Sequence, residues 1–234
     1  MKQMKKIGLV GGLGPEATVL YYEGMVREAQ KRFGRKYFPY LVINSVNAFE
    51  MMPMLDAKDF DTLSKWLLGH LRVLADAGAE LAGIASNTPH IVFSQIESKS
   101  PIPLIPIMRG PVEGAKKRKY SKVLLIGTRF AMESGFYQKA FEESDTELLI
   151  PEEPDRERIH RIILDELIYG VIKAETRNAL FDIVRRMADK TALDAVILGC
   201  TELPLIMKPE DSDWPFLNTT QLHIETLVRE ACGE

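Results

Sequence analysis

Apolar runs of strand length recur along the chain, each separated from the next by a stretch with helical periodicity. The runs are KIGLV (6–10), YLVINSV (40–46), ELAGIA (80–85), PLIPIM (103–108), KVLLIG (122–127), ELLI (147–150) and DAVILG (194–199). Helices are expected over 16–32, 59–77, 111–117, 132–143, 156–169, 176–190 and 220–231. Continuously apolar strands alternating with amphipathic helices specify an α/β fold with parallel sheets covered on both faces. A second regularity narrows the topology. KKIGLVGG and SKVLLIGT are similar strand–turn units, with Ile7 and Val123 116 positions apart. Two polar turns, Ser86 in AGIASNTPH and Cys200 in ILGCTELP, lie 114 positions apart. Nearly equal offsets between independent landmarks point to two similar α/β lobes in tandem. The first is expected over 1–110 with 218–234, the second over 111–217. Open α/β sheets bind ligands at the carboxyl ends of their strands. Lobes that face each other would therefore set Ser86 and Cys200 on opposite walls of one cleft.

A chain of 234 residues is long enough for a sizeable core. Its net charge of −3 argues against a nucleic-acid surface, which needs a strong positive excess. No apolar run reaches the length of a membrane span. MKQMKKIGLVGG runs straight from its apolar residues into a glycine turn, which reads as a first strand and not as a signal peptide. The two cysteines, Cys200 and Cys232, cannot form a disulfide framework or a zinc site of their own. A reducing cytoplasm is the expected compartment.

Each polar turn lies between a strand and an expected helix start. Free N–H groups and the helix dipole favour an anion there, such as a substrate carboxylate. The same field would lower the pKa of Cys200 and fit it to act as a base. The N–H groups of Asn87, Thr88, Thr201 and Glu202 would hold a carboxylate, with the side chains of Asn87, Thr88 and Thr201 as further donors. The plainer alternative, Cys200 as a small buried hydrophobe, stays open at this point.

GGLGPEAT (11–18), SNTPH (86–90), GT (127–128) and GCTELPL (199–205) together resemble the aspartate/glutamate racemase family. The likeness runs in order along almost the whole chain, and the paired turns at this spacing are its specific part. The resemblance implies two pseudo-symmetric Rossmann-like lobes, each a parallel sheet flanked by helices, with the active site in the cleft between them, often in a homodimer. It implies cofactor-independent, PLP-independent proton exchange at Cα of a small acidic or neutral amino acid, with no metal. One residue from each lobe then acts on opposite faces of Cα: Cys200 as base or acid on one, Ser86 on the other. Asn87, Thr88, Thr128 and Thr201 would position the α-carboxylate and amino group, and the backbone near Leu13 would line the cleft.

The chain departs from that family at several positions. Most members have cysteine where this chain has Ser86, and a hydroxyl is a far weaker acid than a thiol, so a lopsided reaction is expected. Met51 and Ile168 stand where aspartate-preferring relatives carry basic residues, and a distal carboxylate would lose its charge-assisted partners there. Arg129, after the GT turn, is a candidate replacement. Asn218 stands where relatives often have aspartate. Two other readings fit a chain lacking one of two cysteines: a single-cysteine decarboxylase of a malonate-type acid, and an amino-acid-binding homologue that has lost catalysis.

Other signals compete. Gly12-x-Gly14-x-x-Ala17 superficially matches the dinucleotide fingerprint, but the second strand ends Ile43-Asn44-Ser45-Val46 without the acid that binds ribose. A tight turn with Pro15 opening a helix is the structural reading. His90 is either an aid to proton transfer or an internal hydrogen-bond partner. Lys116-Lys117-Arg118-Lys119 falls where a helix should end, so its cations complement the helix C-terminus. Met51-Met52-Pro53-Met54 reads as a mobile flap or a dimer contact.

Overall fold

A computed structural model describes residues 4–234. The chain divides into two compact units, one running to Ile107 and including His223–Glu234, the other Met108–Leu222.

In the first unit, strands β1 (Ile7–Gly11), β2 (Leu41–Ser45) and β3 (Leu81–Ile84) pair in parallel in the order β2-β1-β3. Both β1 and β3 are buried along their whole length, which is why neither alternates in polarity. The Phe60–Asp76 helix opens at Asp59, whose carboxylate accepts the Thr62 N–H at 3.0 Å. It turns Leu63, Leu67, Leu71 and Leu74 inward, a four-four-three spacing that keeps them on one face. The other side of the sheet is covered by the Pro15–Phe33 helix, with Tyr21, Met25 and Ala29 packed on Ile224, Leu227 and Val228 of the last helix, Thr219–Cys232. Gly83 permits that packing, since a Cβ there would lie 2.9 Å from Leu227 and 3.0 Å from the His223 ring.

In the second unit, β4 (Lys122–Gly127), β5 (Glu147–Leu149), β6 (Ala195–Gly199) and β7 (Phe216–Asn218) are parallel in the order β5-β4-β6-β7. The three-strand order of the first unit thus recurs, with β7 added beside β6. That addition was not expected from FLN, three residues after a proline and too short to show a period.

Four expectations are corrected. The 103–108 run makes a single bridge, Leu104 with Ala82, and not a strand, because Pro103 and Pro106 have no N–H to donate to a ladder. The helix expected over 132–143 is two short helices, Arg129–Glu133 and Phe136–Phe141, broken at Gly135, which adopts φ 80°. The helix expected over 156–169 runs Glu153–Asp165, and a separate 3₁₀ turn, Leu167–Tyr169, follows it. The methionine run, for which no helix was expected, lies within the Ala48–Asp56 helix, capped by Asn47, with Met51 buried. The basic run does sit where charge complementarity puts it. Lys116, Lys117 and Arg118 form the last turn of the Arg109–Arg118 helix, and Lys119 ends it in the left-handed region.

Candidate active site

Parallel pairing brings residues of the second unit together at one sheet edge. Gly127 of β4 is in register with Gly199 of β6, so Thr128 and Cys200 are the next residues on adjacent strands. Side chains are excluded just below them, since a Cβ on Gly127 would lie 2.8 Å from the Gly199 carbonyl oxygen. On the far side of β6, Asn218 pairs with Leu198, and the Thr219 hydroxyl donates to the Leu198 carbonyl at 2.9 Å.

Cys200 is half-buried, and its thiol donates to Glu202 Oε2 at 2.8 Å. The Thr201 hydroxyl donates to the same oxygen at 2.7 Å. The thiol keeps its proton and Glu202 accepts it in a hydrogen bond, a role for the Glu202 side chain that its backbone N–H gave no reason to expect. The expected lowering of the Cys200 pKa is reversed. Burial raises it well above the usual thiol value, the Glu202 charge raises it further, and the N–H groups of Glu202 and Thr201 offset only part of this. The helix meant to supply a lowering field is only four residues long, Leu203–Ile206, and has little dipole to offer.

Other proposed contacts in this unit are already engaged. Thr128 caps the Arg129–Glu133 helix, accepting the Ala131 N–H at 3.3 Å. Arg129 is about half exposed and pairs with Glu157 at 3.5 Å. Ile168 is 40 % exposed on its 3₁₀ turn. Asn218 Oδ1 accepts the Gln221 N–H at 3.2 Å at the start of the last helix. Tyr137 was missed altogether. It is fully buried, its hydroxyl is hydrogen-bonded to the Thr219 side chain, and burial first, then the nearby Cys200 charge, raises its pKa against the lowering effect of Thr219. Nothing in GFYQKAF marks it, because a tyrosine on a short broken helix looks like any other core aromatic.

In the first unit, β3 delivers Ser86 two residues past Ile84, at the sheet edge where β1 ends in the glycine turn. Ser86 and Thr88 are half-buried and Asn87 is 5 % exposed. Here too the helix is short: a 3₁₀ turn, Thr88–Val92, leads into Phe93–Ile96. The half-buried Leu13 sits in a loop held by Thr18, whose hydroxyl oxygen accepts the Gly12 N–H at 2.8 Å and whose proton goes to the Gly14 carbonyl at 3.1 Å. Gly12 adopts φ 77°, and a Cβ there would fall 2.1 Å from the Val46 carbonyl oxygen. Gly12→Ala should therefore cost about 2 kcal/mol or more, read as a lower denaturation midpoint. His90 is wholly buried with both ring nitrogens in use: Nδ1 lies 2.9 Å from the Ser86 carbonyl oxygen, and Nε2 accepts the Ile107 N–H at 3.2 Å. It has no nitrogen left for proton transfer to a substrate.

The family model for Asp/Glu/hydantoin racemases matches residues 10–227. The chain belongs to that family. Its fold is shared with an aspartate racemase homologue from Pyrococcus horikoshii, 33 % identical with a TM-score of 0.84, covering 97 % of this chain and 99 % of that one. An aspartate racemase from Picrophilus torridus has the same fold at 20 % identity and a TM-score of 0.74, covering 97 % and 94 %. The broad specificity amino-acid racemase RacX of Bacillus subtilis is 20 % identical over 226 residues, 92 % of each chain. Among the described residues, no helix is long and apolar enough to cross a membrane.

Proposed function

We propose that the chain is a cofactor-independent amino-acid racemase, acting as a homodimer in the cytoplasm, in which the Cys200 and Ser86 turns serve one substrate Cα. The observation that carries this reading is the Cys200 thiol donating to Glu202 at 2.8 Å. As Sγ takes the proton from Cα, its own proton passes to Glu202 Oε2, and the C–H electron pair stays on carbon. A thiol of raised pKa is scarce as thiolate but strongly basic once formed, which suits removal of a weakly acidic proton. Leu13, Asn87, Thr88, Thr128 and Thr201 are proposed to border the bound amino acid.

Return of a proton has two routes. Cys200 can return one on the face it took it from, after Glu202 has exchanged with solvent, which gives isotope exchange with retention. Ser86 can give one on the other face, which gives inversion, but serine is a poor acid and this route is slow. The substrate is proposed to be a small acidic or neutral amino acid. Family membership supports the racemase class, and the absence of basic residues at Met51 and Ile168 supports extending the panel beyond aspartate.

The test is proton NMR in D₂O with separate enantiomers of aspartate, glutamate and neutral amino acids. Cα–H loss from one enantiomer, faster than loss of optical rotation, is the expected result. No exchange across the panel would remove catalysis and favour a binding homologue. Ser86→Cys should raise inversion relative to exchange by about tenfold or more, because a thiol then stands on both faces.

A further inference from the structure

One buried imidazole, His90, bonds the Ser86 main chain and a second, His223, packs on it; the reaction uses neither directly. Their partners fix the tautomers. The Ile107 N–H can only donate, so His90 Nε2 accepts at 3.2 Å, and the proton must sit on Nδ1, facing the Ser86 carbonyl at 2.9 Å. The Ile105 carbonyl can only accept, so His223 carries its proton on Nε2 at 2.9 Å, and its Nδ1 accepts from the Tyr21 hydroxyl at 2.7 Å. The two rings meet edge to face at 6.3 Å, and both residues are wholly buried. His90 also stacks on Phe93 at 5.8 Å, while its backbone N–H caps the Asn87 carbonyl at 3.0 Å. Both ring nitrogens are thus engaged, Phe93 and His223 pack against the ring, and Nδ1 faces the main chain of Ser86.

We propose that His90 is a positioning residue for Ser86: its Nδ1–H holds the Ser86 carbonyl, and with it the direction of the seryl side chain, while Ile107 and His223 hold the ring. The inference rests on Ser86 acting in inversion, as read above. A backbone carbonyl released from this bond frees the peptide plane that follows Ser86, and displacements of about 1 Å at a reacting group can cost about a hundredfold in rate.

Two near-isosteric substitutions divide the roles of the ring. His90→Asn places an amide N–H where Nδ1 was, keeping the bond to Ser86 and leaving the Ile107 N–H unpaired. His90→Gln reaches the Nε2 position, keeping Ile107 and releasing Ser86. Each removes one buried hydrogen bond, so a purely structural histidine predicts similar losses in both. The positioning role predicts inversion kcat at least about tenfold lower in His90→Gln than in His90→Asn, with KM and Cys200-dependent exchange alike in the two. Equal inversion in the two variants would overturn it. A second readout needs no activity: with Ser86 labelled at the carbonyl carbon, its ¹³C resonance should move in His90→Gln and stay in place in His90→Asn. If the carbonyl responds so while the wild-type protein shows no inversion, the reading of Ser86 as a proton donor fails and the hold on its carbonyl stands. An unmoved resonance in both variants would sink the hold itself.

Discussion

Replacing Cys200 by alanine is expected to lower Cα–H exchange by about a thousandfold in every substrate that the wild-type protein turns over. Fold should persist, because the side chain is small and half-buried at a strand end, and thermal unfolding would check this. Retained exchange would show that another base does the work and would end the present reading of the site. Glu202→Gln separates two properties that usually move together. In the wild-type protein, burial and then the Glu202 charge push the Cys200 thiol up. Removing that charge should bring the thiol down and make it react faster with iodoacetamide near neutral pH, measured with Cys232→Ser so that only Cys200 reports. Turnover should nevertheless fall by about tenfold to a hundredfold, because an amide oxygen can accept a hydrogen bond from the thiol but cannot take its proton as the carboxylate does. If alkylation and turnover rose together, Glu202 would be an inhibitory charge and not a proton partner.

The sheets were legible because buried parallel strands read as unbroken apolar runs, and the offset between KIGLV and KVLLIG recurs as the shared strand order of the two units. The placement of Ser86 and Cys200 just past the carboxyl ends of β3 and β6 was legible for a related reason: each is a polar residue ending an apolar run. What the pattern could not carry was the local field at each turn. A helix was expected after both, and a lowered thiol with it. The chain supplies only Thr88–Val92, Phe93–Ile96 and Leu203–Ile206, too short to impose one. Burial sets the sign at Cys200 and Glu202 adds to it, and whether a glutamate two residues on folds back over a thiol is a rotamer, which no spacing encodes. Tyr137 escaped for a similar reason, since its relation to Thr219 exists only once β7 lies beside β6. His90 shows the opposite case. Its four-residue spacing from Ser86 left two roles open, and only the Ile107 N–H, seventeen residues away, decides between them.

Acid should destabilise this protein at a pH where most carboxylates are still charged. His90 and His223 are kept neutral chiefly by burial, which pushes them down to about 4 and about 3 from an ordinary 6.5. The adjacent His90 lowers His223 further, while the Ser86 and Asn87 main chain at His90 and the Ile105 carbonyl at His223 oppose the shift. The unfolded chain therefore binds more protons than the folded one below 6.5. Stability is fully present above that pH and is lost as pH falls toward the folded values, at about 1.4 kcal/mol per pH unit for each ring. Urea unfolding should lose roughly 2 to 3 kcal/mol between about pH 6 and about pH 5. The partly exposed His70 and His160 are also lowered, chiefly by burial, and act in the same direction. Carboxylates held low by their partners, such as Glu166 with Thr176 and Lys173, lose their stabilising effect only below their ordinary 4.5, so the interval above that belongs to the histidines. His90→Asn should cut the slope by about half there even though it lowers stability at neutral pH. An unchanged slope would mean that His90 accepts its proton without giving up the Ile107 N–H, which a ring carrying hydrogen on both nitrogens cannot do.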